Sequence, residues 1–160
     1  MKIVFYTAGG TIDKIYFDNK NAYEVGSSTL DEILKEGNIT FEYKNKLILQ
    51  KDSLDLNDED RDLIYRTVKA ESNRLIVLTH GTDTMEKTAQ KLQTIKNKVI
   101  VLTGSMSPAR FKSSDALFNI ACAVTAVQTL RDGVYIAMNG KIFTPDKIRK
   151  NVPKSIFEEI

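Results

Sequence analysis

The sequence has few of the residues that disulfide-stabilised scaffolds and histidine-based metal sites require. Its 160 residues include one cysteine, Cys122, and one histidine, His80. One cysteine cannot form an internal disulfide or a multi-cysteine metal site, and one imidazole excludes any mechanism that needs two on the same chain. We therefore expect no disulfide framework and no histidine-rich zinc centre.

The sequence also lacks a strong charge of either sign and a long apolar run. It has 23 basic and 21 acidic residues, a formal net charge of +2, which is too small to make nucleic acid the expected partner. No stretch approaches the ~20 apolar residues of a membrane span, and the first apolar run is too short for the core of a secretion signal. We predict one cytoplasmic domain that binds neither nucleic acid nor membrane.

Four short apolar runs predict strands that are buried on both faces. They are rich in β-branched residues and nearly continuous, as in the inner strands of a parallel sheet. The runs cover residues 2–6, 75–78, 99–102 and 134–138, and a further strand is expected at residues 47–49.

Segments with helical periodicity alternate with these runs, at residues 28–37, after Asn57, at 84–95 and at 113–130. Asn57 is expected to cap the second helix, and Thr29 with Glu32 to form a capping box on the first. The inward face of the last helix is expected to comprise Leu117, Ile120, Ala121, Val124 and Val127, with Cys122 in the core beside them. The alternation predicts an α/β fold: a mostly parallel sheet with helices on both faces, in three Rossmann-like layers.

Three predicted strands end in loops rich in hydroxyl groups and glycine, at residues 7–11, 79–84 and 103–107. Because ligands of open parallel sheets bind outside the carboxyl ends of the strands, these loops are expected to form one site. Gly9 and Gly10 would allow the backbone to approach a ligand closely. The chain has neither a P-loop motif nor a complete G-x-G-x-x-G, so a nucleotide is not the favoured ligand.

Thr11 and Thr82 are candidate nucleophiles, because each follows a strand end and a hydroxyl can attack an amide carbonyl once a base takes its proton. A serine–histidine–aspartate set is absent. His80 is close to Thr82 along the chain and is better explained as a structural residue than as a general base. The alternative role for both threonines is helix capping, which is common at strand-to-helix turns.

The chain contains two motifs in order, A-G-G-T-I at residues 8–12 and H-G-T-D-T-M at residues 80–85. Together they resemble the two signatures of the L-asparaginase/glutaminase family, amidohydrolases that use threonine nucleophiles. Residues 23–26, 52–56, 104–106 and 114–119 are similar to further segments of that family. The resemblance therefore extends over nearly the whole chain up to Lys150, and it implies the N-terminal α/β domain of an asparaginase.

The resemblance also implies roles for individual residues. The implied catalytic residues are Thr11 as primary nucleophile with Tyr23 beside it, and Thr82, Asp83 and Lys150 as a second group. The implied substrate-binding residues are Gly10, Ser53, Leu54, Gly81 and Ser105, and no metal or cofactor is implied. A phenol or a neutral lysine can accept a threonine proton. The Ser53 hydroxyl and the Gly10 and Thr11 amides would bind the α-carboxylate, and N–H groups of the Thr11 and Thr82 loops would stabilise an oxyanion.

The sequence departs from the family pattern in three respects. Ala8 stands where the first motif usually begins with threonine, and Leu54 stands where some members have a polar residue. Most members continue into a second domain that supplies an acidic residue to a neighbouring subunit. The chain thus resembles a short, single-domain asparaginase, with a domain at residues 1–152 and a tail at 153–160, in which Glu158 and Glu159 are candidates to replace that residue in an oligomer.

The leading hypothesis is an L-asparaginase that forms L-aspartate and ammonia through a threonyl acyl-enzyme. The expected partners are a small-molecule substrate, L-asparagine or L-glutamine, and further copies of the chain in a homo-oligomer, a dimer or tetramer. One alternative is an asparagine- or aspartate-binding regulatory module, and another is the amidohydrolase part of a transamidase complex. A pure binding module would not need both hydroxyls and the lysine.

Overall fold

A computed structural model describes residues 1–160, which form ten strands and four α-helices. The strands are β1 (Lys2–Gly9), β2 (Lys14–Phe17), β3 (Ala22–Val25), β4 (Glu42–Lys51), β5 (Leu75–Thr79), β6 (Val99–Thr103), β7 (Gly133–Met138), β8 (Lys141–Phe143), β9 (Arg149–Asn151) and β10 (Ile156–Glu158). The helices are α1 (Leu30–Glu36), α2 (Asp58–Ala70), α3 (Met85–Leu92) and α4 (Ala116–Thr129), and short 3-10 turns occur at Thr11–Asp13, Asp18–Lys20 and Ser53–Asp55.

Six strands form one sheet in the order β4-β1-β5-β6-β7-β8. The first five run parallel, and only the edge strand β8 is antiparallel to its neighbour. The order places β1 between β4 and β5, so the loops that follow these three strands leave the same edge of the sheet. The predicted mostly parallel sheet is confirmed.

The inner strands are buried on both faces because their side chains alternate between two apolar layers. Val4 and Ile76 pack with residues of α2 and α3. Phe5 and Val77 pack on the opposite face with residues of α1 and α4. This arrangement explains why the strand sequences are continuously apolar, and it confirms the prediction of three layers with helices on both faces.

The two predicted helix caps have different outcomes. Asn57 caps α2 as expected, in a reciprocal capping box with Asp60. Thr29 precedes α1 but makes no side-chain cap; its hydroxyl donates instead to the buried carboxylate of Asp13 at 3.0 Å. The predicted capping box on α1 is therefore wrong, because a partner distant in sequence takes the hydroxyl.

Helix α4 is rotated relative to the predicted stripe. Ile120, Val124 and Val127 are buried as expected, but Leu117 and Ala121 face outwards and Cys122 is only half-buried. The helix contains no charged side chain, so polarity does not distinguish its inner face from its outer one. Small alanines, including Ala123, occupy the face that touches the sheet.

The last residues form an antiparallel hairpin rather than an extended tail. Strand β10 pairs with β9, and Phe157 stands opposite Lys150. The Phe157 side chain is buried in the main core, and its N–H donates to Asn139 Oδ1 at 2.8 Å. Residues 153–160 thus help to fix the position of Lys150.

No helix of the structure has the length and apolar character needed to cross a bilayer.

Candidate active site

Two glycines allow three loops to meet at the carboxyl edge of the sheet. A Cβ at Gly10, whose φ is +94°, would overlap the backbone of Gly81, and a Cβ at Gly81 would lie 2.6 Å from Ser53 Oγ. The loops after β1, β4 and β5 are therefore in contact through glycine hydrogens. This contact brings together the segments that carry Thr11, Ser53 and Thr82, as the sequence predicted.

Replacing Gly10 with alanine is expected to destabilise the protein by about 3 kcal/mol or more, because an L side chain is strained at this φ and meets backbone atoms that cannot rotate away. Gly37 is the matched control, since its φ is −72° and an added Cβ would make only ordinary contacts. Gly37→Ala is expected to change the free energy of unfolding by about 0.4–1 kcal/mol in the stabilising direction. Urea denaturation measures both, and equal stabilities for the two variants would contradict the close approach of the loops.

Thr82, Asp83 and Lys150 form a hydrogen-bonded group. Lys150 Nζ lies 2.7 Å from Thr82 Oγ1 and 2.6 Å from Asp83 Oδ1. Thr82 is buried, and the other two side chains are partly exposed. The grouping predicted from the family resemblance thus exists in space, across 68 residues of sequence between Thr82 and Lys150.

The Thr82 hydroxyl does not cap α3, which excludes the alternative role. The N-cap of α3 is Thr84, and its hydroxyl donates to Ser53 O at 2.9 Å. Arg61 Nη2 in turn donates to Thr84 Oγ1 at 3.1 Å. Thr84 and Arg61 therefore support the Ser53 turn, while the Thr82 hydroxyl faces Lys150.

The Ser53 turn is fixed from two further sides. The Asp83 N–H donates to Ser53 Oγ at 3.2 Å, which leaves the serine proton free to be donated. The Asp52 carboxylate accepts from the Leu54 N–H at 3.1 Å and pairs with Lys14 Nζ at 2.6 Å. Burial alone would raise the pKa of Asp52, but these two partners outweigh it and the pKa lies below its ordinary value. Sequence reasoning missed the Lys14–Asp52 pair, since no local signal joins the two residues.

Thr11 begins the 3-10 turn after β1 and is half-buried. The backbone N–H groups of Thr11 and Thr82 donate to no protein acceptor, so both are free to stabilise an anion. The Gly10 N–H, expected to bind substrate, donates instead to Lys51 O at 2.9 Å. That expectation is corrected: Gly10 contributes space at the site and not a hydrogen bond.

Asp13 anchors the turn that begins at Thr11 through hydrogen bonds to Gly26 and Thr29. Its Oδ1 accepts from the Thr29 N–H at 2.9 Å, and its backbone carbonyl accepts from the Gly26 N–H at 2.8 Å. Burial raises the pKa of this carboxyl, and the two hydrogen bonds from Thr29 lower it by a smaller amount. Asp13 thereby closes the base of the β2–β3 hairpin next to Thr11.

Tyr23 and Leu54 border a mainly polar cleft of ≈ 570 Å³ between the β2–β3 hairpin and the Ser53 turn. The two residues are 52% and 71% exposed. Ser105, by contrast, is fully buried and its hydroxyl donates to Ser107 O within its own loop. Tyr23 and Leu54 thus share one cleft, but Thr11, Thr82 and Lys150 are not among the residues that line it, and the Ser105 hydroxyl is turned away from it.

His80 is a buried structural residue. Its Nδ1 lies 2.7 Å from Gly81 O and must carry the proton, since a carbonyl only accepts; Nε2 then accepts from the Thr88 hydroxyl at 2.8 Å. Burial lowers the pKa of His80 to about 4. Both nitrogens are occupied, which agrees with the structural interpretation of this histidine.

No cluster of three or more histidine, cysteine or acidic side chains has a metal-binding arrangement.

Comparisons with known proteins agree with this geometry. A family model described as "Asparaginase, N-terminal" matches residues 2–156. The chain is 33% identical over 159 residues to "Probable L-asparaginase periplasmic" of Haemophilus influenzae, a match that covers 92% of this chain and 46% of that protein. The solved structure "The thermostable L-asparaginase from Thermococcus kodakarensis" is similar with a TM-score of 0.85 and 30% identity, over 100% of this chain and 51% of that one. A partial match, 45% identical over 69 residues, covers 42% of this chain and 16% of a glutamyl-tRNA(Gln) amidotransferase protein of Methanococcus vannielii.

The fold and the site define an α/β protein with two hydroxyl-bearing loops and a lysine–carboxylate pair at the carboxyl ends of parallel strands. Because the family model matches nearly the whole chain, the chain belongs to the asparaginase family. The resemblance inferred from the two motifs is thus confirmed. The chain spans about half the length of the Haemophilus influenzae and Thermococcus kodakarensis proteins.

Proposed function

We propose that this protein is an L-asparaginase, which hydrolyses L-asparagine to L-aspartate and ammonia. The observation that carries the proposal is the position of Lys150 Nζ, 2.7 Å from the Thr82 hydroxyl and 2.6 Å from the Asp83 carboxylate. A buried hydroxyl next to an amine and a carboxylate is an arrangement for moving protons, and a simple binding site does not require it.

In the proposed first half-reaction, Thr11 Oγ1 attacks the side-chain amide carbon of the substrate. The hydroxyl proton passes through the Tyr23 phenol, which can both accept and donate, to the departing nitrogen. Ammonia leaves, and the substrate acyl group stays on Thr11 as an ester. The Thr11 and Thr82 N–H groups, which have no protein acceptor, are the proposed donors to the oxyanion.

In the proposed second half-reaction, water attacks the ester carbon. Lys150 Nζ lies 2.7 Å from Thr82 Oγ1, so in this proposed step a deprotonated amine accepts the water proton through that hydroxyl while Asp83 holds the amine in place. The proton then returns to Thr11 Oγ1 as aspartate is released. The free Ser53 hydroxyl proton is the proposed contact for the substrate α-carboxylate.

Ammonia release from L-asparagine by the purified chain, measured beside L-glutamine, tests the proposal. We expect turnover of L-asparagine, with a weaker reaction of L-glutamine because Leu54 offers no polar group to the longer side chain. No ammonia from either substrate would overturn the proposal. If L-aspartate nevertheless binds in calorimetry, the regulatory-module alternative would replace it.

Self-association as a dimer or tetramer is a further part of the proposal. The outer face of α4 exposes Leu117 and Phe118, and with Ile142 it borders an apolar groove of ≈ 400 Å³. Since α4 has no charged residue, two copies can join these faces about a two-fold axis without opposing like charges. Sedimentation velocity should show a species larger than 18.0 kDa, and a monomer at all concentrations would contradict this part.

A cytoplasmic location also belongs to the proposal. Its support is the unpaired Cys122, since free thiols are typical of reducing compartments. Cell fractionation tests it, and recovery of the protein from a periplasmic or secreted fraction would contradict it.

A further inference from the structure

The Tyr23 ring contacts two other aromatic rings. Tyr16, its cross-strand neighbour in the β2–β3 hairpin, contacts it edge to face with 5.3 Å between ring centroids and a 61° interplanar angle. Phe111 contacts it in the same manner, at 5.8 Å and 65°. Such contacts each stabilise a pair modestly and restrict the orientation of the rings.

Of these two neighbours, only Phe111 comes from outside the hairpin. Tyr16 moves with Tyr23, because their strands are hydrogen-bonded to each other, so it cannot fix the position of Tyr23 relative to Thr11. Phe111 follows β6 and lies at the end of a turn closed by its own N–H, which donates to Pro108 O at 3.0 Å.

The turn that carries Phe111 is tied directly to the segment of the proposed nucleophile. The Ala109 N–H donates to Ile12 O at 3.0 Å, and Ile12 follows Thr11 in the chain. Phe111 thus has a fixed position relative to Thr11. Through its ring contact, Phe111 sets the position of Tyr23 relative to Thr11, although Phe111 is not one of the reacting groups.

The base of the hairpin has separate attachments that do not reach Tyr23. The Lys14–Asp52 ion pair joins the first hairpin strand to the Ser53 turn at 2.6 Å, and Gly26 is hydrogen-bonded to Asp13. Farther along the hairpin, Tyr23 is 52% exposed, and its neighbour Phe111 is 45% exposed. Removing Phe111 would therefore leave the hairpin folded and attached at its base while releasing the Tyr23 ring.

We propose that Phe111 is a positioning residue for Tyr23: it holds the phenol at the site by an edge-to-face contact anchored to the Thr11 turn. The inference rests on the proposed function, because it concerns the proton-carrying phenol of that reaction. It predicts that Phe111 affects the chemical step and not the binding of substrate.

Steady-state kinetics with L-asparagine provide the first test. Phe111→Ala is expected to lower kcat about tenfold, since small displacements of a reacting group have large effects on rate, and to leave KM within about twofold. Phe111→Tyr keeps the ring and should retain the wild-type kcat within about twofold. Lys112→Ala, at the exposed neighbouring residue, is the matched control and should leave both constants unchanged.

A double-mutant cycle separates positioning from a general structural role. In the Tyr23→Phe background, which lacks the phenolic hydroxyl, Phe111→Ala should cause no further loss of kcat. An additional tenfold loss of kcat in the Tyr23→Phe background would overturn the proposal. So would an effect of Phe111→Ala, in the otherwise wild-type protein, that changes KM and leaves kcat unaltered.

Fluorine NMR of protein labelled with fluorotyrosine gives a readout that does not depend on activity. The Tyr23 resonance is assigned by its absence in Tyr23→Phe, and Phe111→Ala should shift and narrow it towards free fluorotyrosine while Lys112→Ala leaves it in place. An unchanged resonance in Phe111→Ala would overturn the inference. Absence of turnover in the wild type would overturn the proposed function instead. In that case the fluorine resonance would still test whether Phe111 holds the Tyr23 ring.

Discussion

Replacing Thr11 with alanine is expected to reduce ammonia release from L-asparagine by roughly 10⁴-fold or more, because it removes the hydroxyl that forms the acyl-enzyme in the proposed mechanism. Thr11 is only half-buried. The free energy of unfolding should therefore change by less than about 1 kcal/mol. The measurements are kcat from initial rates and the urea midpoint of the same preparation.

Two further variants make this result specific. Thr11→Ser keeps a hydroxyl at the same place and should retain much of the activity, whereas Thr11→Val keeps the shape and should be as inactive as Thr11→Ala. Thr40→Ala, at an exposed position between α1 and β4, controls for the loss of a threonine hydroxyl away from the site. Activity in Thr11→Ala near the wild-type level would exclude Thr11 as nucleophile.

Replacing Lys150 with methionine is expected to lower kcat by about 10²- to 10⁴-fold, the usual range for removing a group with the proton-transfer role proposed for Lys150. Methionine fills similar space but cannot accept a proton or hold Thr82 and Asp83. Because Asp83 is partly exposed, the carboxylate left without a partner is expected to cost little stability. Initial rates and thermal unfolding distinguish lost chemistry from lost fold.

Lys150→Arg tests whether the amine accepts a proton or only supplies positive charge. A guanidinium keeps the charge and the pairing with Asp83 but stays protonated in proteins, so we expect this variant to be nearly as inactive as Lys150→Met. Arg149→Ala is the matched control, since Arg149 pairs with Glu158 at 2.9 Å on the exposed side of the same hairpin. Full activity in Lys150→Arg would rule out proton transfer by Lys150.

The parts of the fold that depend on local pattern were predictable from the sequence. The apolar runs at residues 2–6 and 99–102 are short and rich in β-branched residues, which favours buried strands over helices, and Asn57 is a local capping signal. Parallel strand order then determines where the loops lie. The convergence of the Thr11 and Thr82 loops could therefore be inferred from the sequence alone.

Features that depend on distant partners were not predictable in this way. The Thr29 hydroxyl bonds to Asp13, 16 residues earlier in the chain, instead of capping its own helix. The Gly10 N–H is taken by Lys51 of the neighbouring strand. In each case a group that looks available in the sequence is already satisfied by the tertiary structure.

The roles proposed for Lys150 and Phe111 show a second limit of sequence-based prediction. Nothing in the local sequence distinguishes Lys150 from a solvated lysine, and only the family resemblance indicated its place beside Thr82. Phe111 carries no such resemblance, and its contact with Tyr23 depends on how a turn packs against Ile12. Helix α4 is a similar case, because a helix without charges gives no polarity by which to assign its faces.

Acid quenching during turnover, followed by peptide mass spectrometry, tests most directly whether Thr11 forms the acyl-enzyme. Lys150→Met, in which hydrolysis of the ester should be slow, is mixed with L-asparagine and digested at low pH. We expect the peptide containing Thr11 to gain the mass of one aspartyl acyl group, and Thr11→Val in the same background to gain none. An acyl group on Thr82, or ammonia release from a wild-type chain that never carries an acyl group on either threonine, would contradict the proposed mechanism.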